Sequence, residues 1–237
     1  MTKLSVNINK IATLRNARGG NIPDVLQMAR DIESFGAEGI TVHPRPDERH
    51  ITYQDVLDLS PVLSTEFNIE GNPITKFVNL VLQVRPAQVT LVPDDEDAIT
   101  SNAGWDTVKY KGFLKEVISG FKQNNIRCSI FVDPNPEMVK AAVETGTDRI
   151  ELYTEAYAAA YAKGDKDAVK SYAECAGIAH DLGMEVNAGH DLSLENVGYF
   201  KKQLPYLEEV SIGHALISEA LYLGMEKTIQ KYLKLLK

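Results

Sequence analysis

Short runs in which apolar and polar residues alternate recur along the chain, and amphipathic segments of helical length separate them. Alternation with a period of two predicts half-buried strands, whereas apolar residues at three- and four-residue spacing predict helices. The pattern predicts eight strands, at residues 4–8, 39–43, 66–70, 88–92, 128–132, 149–153, 185–188 and 208–212. Strands that alternate with helices form parallel sheets, so the sequence predicts an α/β fold, a (β/α)8 TIM barrel.

Two segments exceed a minimal barrel, and a third is predicted to be a mobile loop. Residues 156–180 predict two helices broken around Gly164, and residues 217–237 predict two more broken near Gly224. Residues 93–104 are acidic and rich in small residues, which predicts a loop that closes over a ligand. No linker-like segment divides the chain, so residues 1–237 are predicted to form one domain with extra helices.

The composition argues against nucleic-acid binding, membrane insertion and metal binding. The 237 residues carry a net charge of −8, and no basic cluster of the kind that binds nucleic acid or anionic membranes occurs. No apolar run has the length of a signal peptide core or a membrane span, which predicts a cytoplasmic protein. Cys128 and Cys175 lack metal-binding spacing, so neither a disulfide nor a metal site is expected.

Polar side chains occupy one face of several predicted strands. Asn7 and Asn9, Thr41 and His43, Asn68 and Glu70, and Arg149, Glu151 and Tyr153 all alternate with apolar residues. In a barrel one face of each strand packs against the helices, so these polar groups should point inward. Several stand at carboxyl ends of strands, where barrel enzymes carry their active sites. A purely structural polar network remains an alternative.

Glycines follow the last two predicted strands. Gly189 precedes His190, and Gly213 precedes His214. Backbone N–H groups at a helix start bind phosphate, and barrels often bind it after strands seven and eight. Arg15, Arg18 and Arg45 in the first two loops are candidates for a second anion site, although Arg15 also fits an ordinary surface arginine. His180 ends a helix, where an imidazolium complements the helix dipole, and receives no functional role.

Five motifs in order resemble the pyridoxine 5′-phosphate synthase family. They are NINKIATLRNARG from Asn7, GITVHPR from Gly39 with DERHI from Asp47, NIE from Asn68, VNAGH from Val186 and IGHA from Ile212. The resemblance implies an enzyme without cofactor or metal that condenses 3-amino-2-oxopropyl phosphate with 1-deoxy-D-xylulose 5-phosphate. The products are pyridoxine 5′-phosphate, phosphate and water. It also implies a homo-octamer.

The resemblance also implies residue roles. His43 and Glu70 match general bases, His190 a proton donor, and Glu151 a group that stabilises cationic intermediates. The aminoketone phosphate would be held by Asn7, Arg18, Gly189, Gly213 and His214. The deoxyxylulose phosphate would be held by Arg45, His50 and Thr100, the last within the predicted closing loop.

The chain departs from the family pattern at Asn9 and Lys10, where Asp and His are usual. Tyr153 and Asp191 likewise replace a more usual His and Gly. We expect Asn9 and Lys10 to support sugar phosphate binding, with the ammonium acting as a cation and not as a nucleophile.

Two other functions are compatible with the residues. Another phosphosugar TIM-barrel isomerase or aldolase would share the fold, and Lys10 is the candidate for a Schiff base. A non-catalytic phosphate-ligand binding protein is the second alternative, but proton-transfer groups on four strands would then have no use.

Overall fold

The computed structural model describes residues 1–94 and 103–237. In this part of the chain, eight parallel strands close into a barrel in which sequence neighbours pair and the last strand pairs with the first. The predicted (β/α)8 TIM barrel is therefore confirmed. The strands are β1 (Lys3–Asn7), β2 (Gly39–Val42), β3 (Glu66–Gly71), β4 (Gln88–Leu91), β5 (Arg127–Val132), β6 (Arg149–Tyr153), β7 (Glu185–His190) and β8 (Leu207–Ile212).

The helices follow the strands and form the outer layer. They are α1 (Asn9–Asn16), α2 (Val25–Ser34), α3 (Tyr53–Leu59), α4 (Thr75–Val84), α5 (Lys111–Lys122), α6 (Pro136–Ala142), α7 (Glu155–Ala162), α8 (Lys170–Asp181), α9 (Val197–Gln203), α10 (His214–Leu223) and α11 (Met225–Leu236). Among the described residues, none of the helices is long and apolar enough to cross a membrane.

Both predicted helix pairs are present. Gly164, with φ 87°, lies between α7 and α8, and Gly224, with φ 83°, separates α10 from α11. A positive φ is accessible to glycine at little cost, so each glycine lets the chain turn sharply between two helices. The extra helices α7 and α11 therefore pack on the barrel as separate elements.

The first strand is shorter at its carboxyl end than the sequence pattern predicts. It ends at Asn7, because Asn9 is already the first residue of α1. Ile8 still donates its N–H to the carbonyl oxygen of Thr41 at 3.1 Å. The prediction that Asn9 ends strand one is thus wrong in detail, although its side chain still reaches the barrel mouth.

The barrel interior is polar, whereas the layer between strands and helices is apolar. Inside, a chain of hydrogen bonds links successive strands: Ser5 Oγ lies 2.7 Å from Thr41 Oγ1, Asn68 Nδ2 donates to Thr41 Oγ1 at 3.3 Å, and Thr90 Oγ1 donates to Asn68 Oδ1 at 3.0 Å. Buried polar groups are tolerated when hydrogen-bonded in this way. The inward orientation predicted for Thr41 and Asn68 is confirmed.

Candidate active site

A cavity of about 660 Å³ opens at the carboxyl ends of the strands. Its lining comes from β1, β2, β3, β6, β7 and β8 and the loops that follow them: Asn7, Asn9, Lys10, Thr13, His43, Arg45, Arg49, His50, Glu70, Tyr153, Glu155, His190, Asp191, Ser211, Gly213 and His214. Residues far apart in sequence meet there because parallel strands bring all their carboxyl ends to one face of the barrel. The volume is that of a small-molecule site.

His43 and Glu70 lie next to each other on the cavity wall. Both are almost fully buried, and His43 Nδ1 stands 4.0 Å from Glu70 Oε2. Asn7 Nδ2 donates to the same carboxylate oxygen at 3.3 Å, and the backbone N–H of His43 donates to Asn9 Oδ1 at 2.9 Å. The two groups predicted to exchange protons with substrate are therefore fixed side by side.

Burial sets the protonation states of this pair. Loss of solvent lowers the pKa of His43 well below its usual value, and the positive charge of Arg45 lowers it further. Burial, together with the negative charges of Asp94 and Glu209, raises the pKa of Glu70 to about 8. At neutral pH the site thus holds a neutral imidazole beside a protonated carboxyl group.

His190 faces the cavity from the end of β7. Its ring centroid lies 4.7 Å from that of Phe131 and 5.4 Å from that of Tyr153. Burial, assisted by the charge of Arg45, lowers the pKa of His190 to about 4. This imidazole is also neutral at neutral pH in the absence of ligand.

Glu151 lies beneath the cavity, inside the barrel. It is 1% exposed, and neither carboxyl oxygen has a hydrogen-bond partner among the described residues. Burial and the nearby Glu70 and Glu209 raise the pKa of Glu151 well above its usual value. An uncompensated buried carboxylate is costly, so this group holds a proton at neutral pH.

Glu209 is a buried acid that the sequence prediction missed. It lies inside the barrel, accepts a hydrogen bond from Asn187 Nδ2 at 3.4 Å and stands 3.8 Å from Arg149 Nη1. Burial raises its pKa to about 7. Glu208 and Glu209 look like a solvated pair in the sequence, but strand alternation places one outside and the other inside, which was the available signal.

The end of β8 approaches β1 closely. A Cβ atom on Gly213 would lie 3.1 Å from Asn7 Cβ, so a larger residue would press on the cavity wall. Helix α10 begins at His214, which lines the cavity, and the free N–H groups of a helix start favour an anion there.

Basic side chains also line the cavity. Arg45 is buried and pairs with Asp94, with 2.6 Å between Nη2 and Oδ2. His50 accepts the backbone N–H of Ile51 on Nδ1, and burial, with Arg45 and Lys10, lowers its pKa to about 4. Lys10 is exposed at the rim. The residues predicted to hold the sugar phosphate within the described part of the chain, Asn9, Lys10, Arg45 and His50, thus all line this cavity.

Two predicted anion-binding residues do not line this cavity, and a third lies outside the described residues. Arg15 is a buried structural residue, because its guanidinium pairs with Asp55 at 2.5 and 2.8 Å, so the surface reading and the anion-site reading are both wrong. Arg18 is exposed after α1 and does not line the cavity. Thr100 and residues 95–102 of the predicted closing loop lie outside the described residues.

Two further residues from the sequence analysis do not line the cavity, and four residues that line it were not predicted. Gly189 is buried and does not line the cavity, but it packs against Glu151. His180 ends α8 as predicted and stacks on Tyr206, with centroids 3.6 Å apart. Thr13, Arg49, Glu155 and Ser211 line the cavity without having been predicted. Their residue types are common on surfaces, so only the folded chain identifies them.

The closed barrel, with a polar cavity at the carboxyl ends of its strands, defines a protein of the TIM-barrel class. The family model described as pyridoxal phosphate biosynthesis protein PdxJ matches residues 4–237. The chain belongs to this family and is an enzyme of vitamin B6 biosynthesis, which confirms the family resemblance read from the motifs.

Close relatives cover the whole chain. Pyridoxine 5′-phosphate synthase from Christiangramia forsetii is 72% identical over 237 residues, which is 100% of both chains. The enzyme of the same name from Flavobacterium johnsoniae is 63% identical, again over 100% of both.

Solved structures of other barrels share the fold. 3-Keto-L-gulonate-6-phosphate decarboxylase from Vibrio cholerae aligns with a TM-score of 0.65 at 11% identity, over 99% of this chain and 97% of that one. Phosphoribosyl anthranilate isomerase aligns with a TM-score of 0.60 at 15% identity, over 100% and 98%. At these identities the likeness concerns the fold alone.

Proposed function

We propose that the protein condenses 3-amino-2-oxopropyl phosphate with 1-deoxy-D-xylulose 5-phosphate to give pyridoxine 5′-phosphate, phosphate and water. The observation that carries this proposal is that His43, Glu70 and His190 line one cavity whose rim bears cationic groups. The cavity volume of about 660 Å³ suits two small phosphorylated molecules together. The family membership and the names of the relatives support the same reaction.

The substrates react with each other, and the protein moves protons. The amine of one forms an imine with the ketone of the other and releases water; later steps release phosphate and close the ring. His43 is neutral in the empty site and is therefore ready to accept a proton. Glu70 starts protonated, and it becomes a base after it has given that proton to a leaving oxygen.

His190 acts as the proton donor, which requires that the imidazole gain a proton when substrate binds. A phosphate dianion brought near an imidazole favours its charged form. Substrate binding therefore raises the pKa of His190 from about 4, so that the imidazole becomes protonated when the substrate is in place. Water has little access to the site once the ligand fills it, so the proton passes to substrate.

The two phosphates bind on opposite sides of the cavity. Asn7, Gly213 and His214, with Gly189 and Arg18 as further proposed contributors, hold the aminoketone phosphate beside the start of α10. Arg45, His50 and Lys10, with Asn9 and Thr100, hold the sugar phosphate. Support comes from the lining positions of Asn7, Asn9, Lys10, Arg45, His50, Gly213 and His214.

Glu151 responds to charge on the reacting molecules. In the empty protein it is protonated and lacks a hydrogen-bond partner among the described residues. An iminium cation nearby favours the ionised form, and Glu151 stabilises the intermediate once its proton has passed to the substrate oxygen that leaves as water. Glu151 thus becomes negatively charged only when a cationic intermediate forms. Its carboxyl group lies against Gly189.

We also propose a single-domain protein that works in the cytoplasm as a homo-octamer, on the basis of the family resemblance. Exposed apolar residues on α1 and α10 support assembly: Leu14 is 58% exposed, Leu221 76% and Tyr222 91%. Exposed apolar surface of this kind marks interaction sites. Native mass spectrometry of the purified protein measures the subunit number directly.

The test of function is incubation of the purified protein with both substrates while the absorbance of pyridoxine 5′-phosphate is followed. We expect product only when both substrates are present, and loss of turnover in His190→Ala. An isomerase or aldolase would convert one sugar phosphate alone, and a binding protein would bind both without turnover. Either result rejects the proposal.

A further inference from the structure

We propose that Thr154, together with Tyr153, is a positioning residue that holds His190 in the orientation needed for proton transfer. This inference rests on the proposed role of His190 as proton donor. Neither residue was singled out for such a role by the sequence, and Thr154 does not line the cavity.

One hydroxyl group holds the chain on both sides of His190. Thr154 is fully buried at the end of β6, and its Oγ1 donates to the carbonyl oxygen of Gly189 at 2.5 Å. The same oxygen accepts the backbone N–H of Asp191 at 3.3 Å. The residues before and after the imidazole are thus tied to the neighbouring strand through a single side chain.

The backbone between those two bonds is strained. His190 has φ 86°, in a region that residues with a Cβ atom rarely adopt. Such a conformation persists only where the surroundings enforce it, and it is concentrated at functional sites. The two hydrogen bonds of Thr154 are placed to enforce it, because they fix the peptide groups that flank the strained residue.

The imidazole ring is held separately. Tyr153 packs its ring at 83° to that of His190, with centroids 5.4 Å apart, and Phe131 packs against it at 4.7 Å. Tyr153 is itself anchored, because its hydroxyl donates to Glu155 Oε2 at 2.8 Å and its carbonyl accepts from Tyr172 at 3.0 Å. Backbone and ring are therefore oriented by two consecutive residues of β6 and its loop.

The position of the His190 ring determines how fast it can transfer a proton to the substrate. Proton transfer requires the donor nitrogen within hydrogen-bond reach of the substrate atom, and a displacement of about 1 Å costs on the order of 10²-fold in rate. Substrate affinity, in contrast, depends mainly on the proposed phosphate-binding residues that line the cavity, such as Asn7, Gly213 and His214, and Thr154 has no hydrogen bond to any of these three. Loss of the Thr154 hydroxyl should therefore affect turnover and leave binding largely unchanged.

The experiment compares Thr154→Val, which replaces the hydroxyl with a methyl group, with Thr154→Ser, which keeps it. We expect Thr154→Val to lower kcat about 10- to 100-fold with the KM of both substrates changed less than about threefold. Thr154→Ser should keep kcat close to native. The matched control is Thr145→Val, since Thr145 is a buried threonine that donates to the Ala142 carbonyl at 2.7 Å, ahead of β6 and away from the cavity.

The outcomes separate this inference from the proposed function. Native kcat in Thr154→Val, or an equal fall in Thr145→Val or Thr154→Ser, overturns the positioning role while His190→Ala still reports on the reaction. Near-native turnover in His190→Ala removes the proposed donor itself. If Thr154→Val does not fold, Thr154→Ala loses the same hydroxyl without the added methyl group and is held to the same kcat and KM criteria.

Discussion

Gly189 passes directly over the carboxyl group of Glu151: a Cβ atom on residue 189 would lie 2.6 Å from Glu151 Oε1 and 2.7 Å from the carbonyl oxygen of Ser211. Real side-chain carbons do not approach that closely. The glycine therefore lets β7 pack against the acid, and the closeness of the two strands depends on the missing side chain.

Gly189→Ala is expected to destabilise the protein by about 1–3 kcal/mol, the usual cost of overpacking a buried site, and to lower turnover through displacement of Glu151. Chemical denaturation and steady-state kinetics measure the two effects. Gly177→Ala on α8 is the control, because a Cβ atom there meets no atom within 4 Å. An unchanged free energy of unfolding in Gly189→Ala would contradict this prediction, because β7 would then move away from Glu151 at little cost.

Glu70→Gln should lower kcat about 10²–10⁴-fold, since the amide cannot exchange a proton. In the wild type the pKa of Glu70 is about 8 and the proposed cycle starts from its protonated form, so kcat/KM should fall as pH rises through about 8. Glu66→Gln at the amino end of the same strand should keep that fall. A pH profile of Glu70→Gln that matches the wild type would exclude Glu70 as the titrating group.

Glu209→Gln should change how stability depends on pH. The folded pKa of Glu209, about 7, lies above its unfolded value, so its contribution is present below about pH 4 and is lost as pH rises through 7. Between about pH 4 and pH 7, the free energy of unfolding of Glu209→Gln should therefore fall by less than that of the wild type. The difference between the two proteins should reach up to about 3 kcal/mol. Urea unfolding at a series of pH values tests this, and parallel curves for variant and wild type would contradict it.

Lys10→Ala should raise the KM for the sugar phosphate more than it lowers kcat, because Lys10 lies at the rim and offers a cation. Lys227→Ala on α11 serves as the control. Borohydride treatment with the sugar phosphate should leave Lys10 unmodified. A reduced adduct on Lys10 would favour a Schiff-base aldolase, and an unchanged KM would return the residue to an ordinary surface role.

Added inorganic phosphate should raise the pKa of His50 and His190 from about 4, because an anion favours the imidazolium. Histidine ring signals followed by NMR across pH report both values. His180 lies outside the cavity and provides the internal comparison. Unshifted His50 and His190 signals in saturating phosphate would contradict the proposed charging on binding.

Local patterns predict the barrel well because each βα unit carries its own signals. Alternation gives the strands, and glycines such as Gly36, with φ 101°, stand where helices end. Strand limits differ by one or two residues, as at Asn7, because the start of the next helix fixes where pairing stops.

The site is predicted only in part, because pairing between distant residues is not visible in one sequence. The sequence does not show that Arg15 pairs with Asp55, 40 positions away. This ion pair makes Arg15 a buried structural residue and not a surface cation. Glu209 stands beside Glu208 in the sequence, and only the closed barrel shows that it shares an interior with Glu70. The residue types at the strand ends were visible; their partners were not.

In the proposed binding mode, the ion pair between Arg45 and Asp94 makes sugar phosphate binding a competition. The incoming anion competes with an internal carboxylate held at 2.6 Å, so the measured affinity would be the difference between two attractions and not the strength of one. A singly charged ligand would gain little from such a competition, whereas a dianion would gain more. Asp94 would thus favour doubly charged ligands over singly charged ones before any chemistry begins.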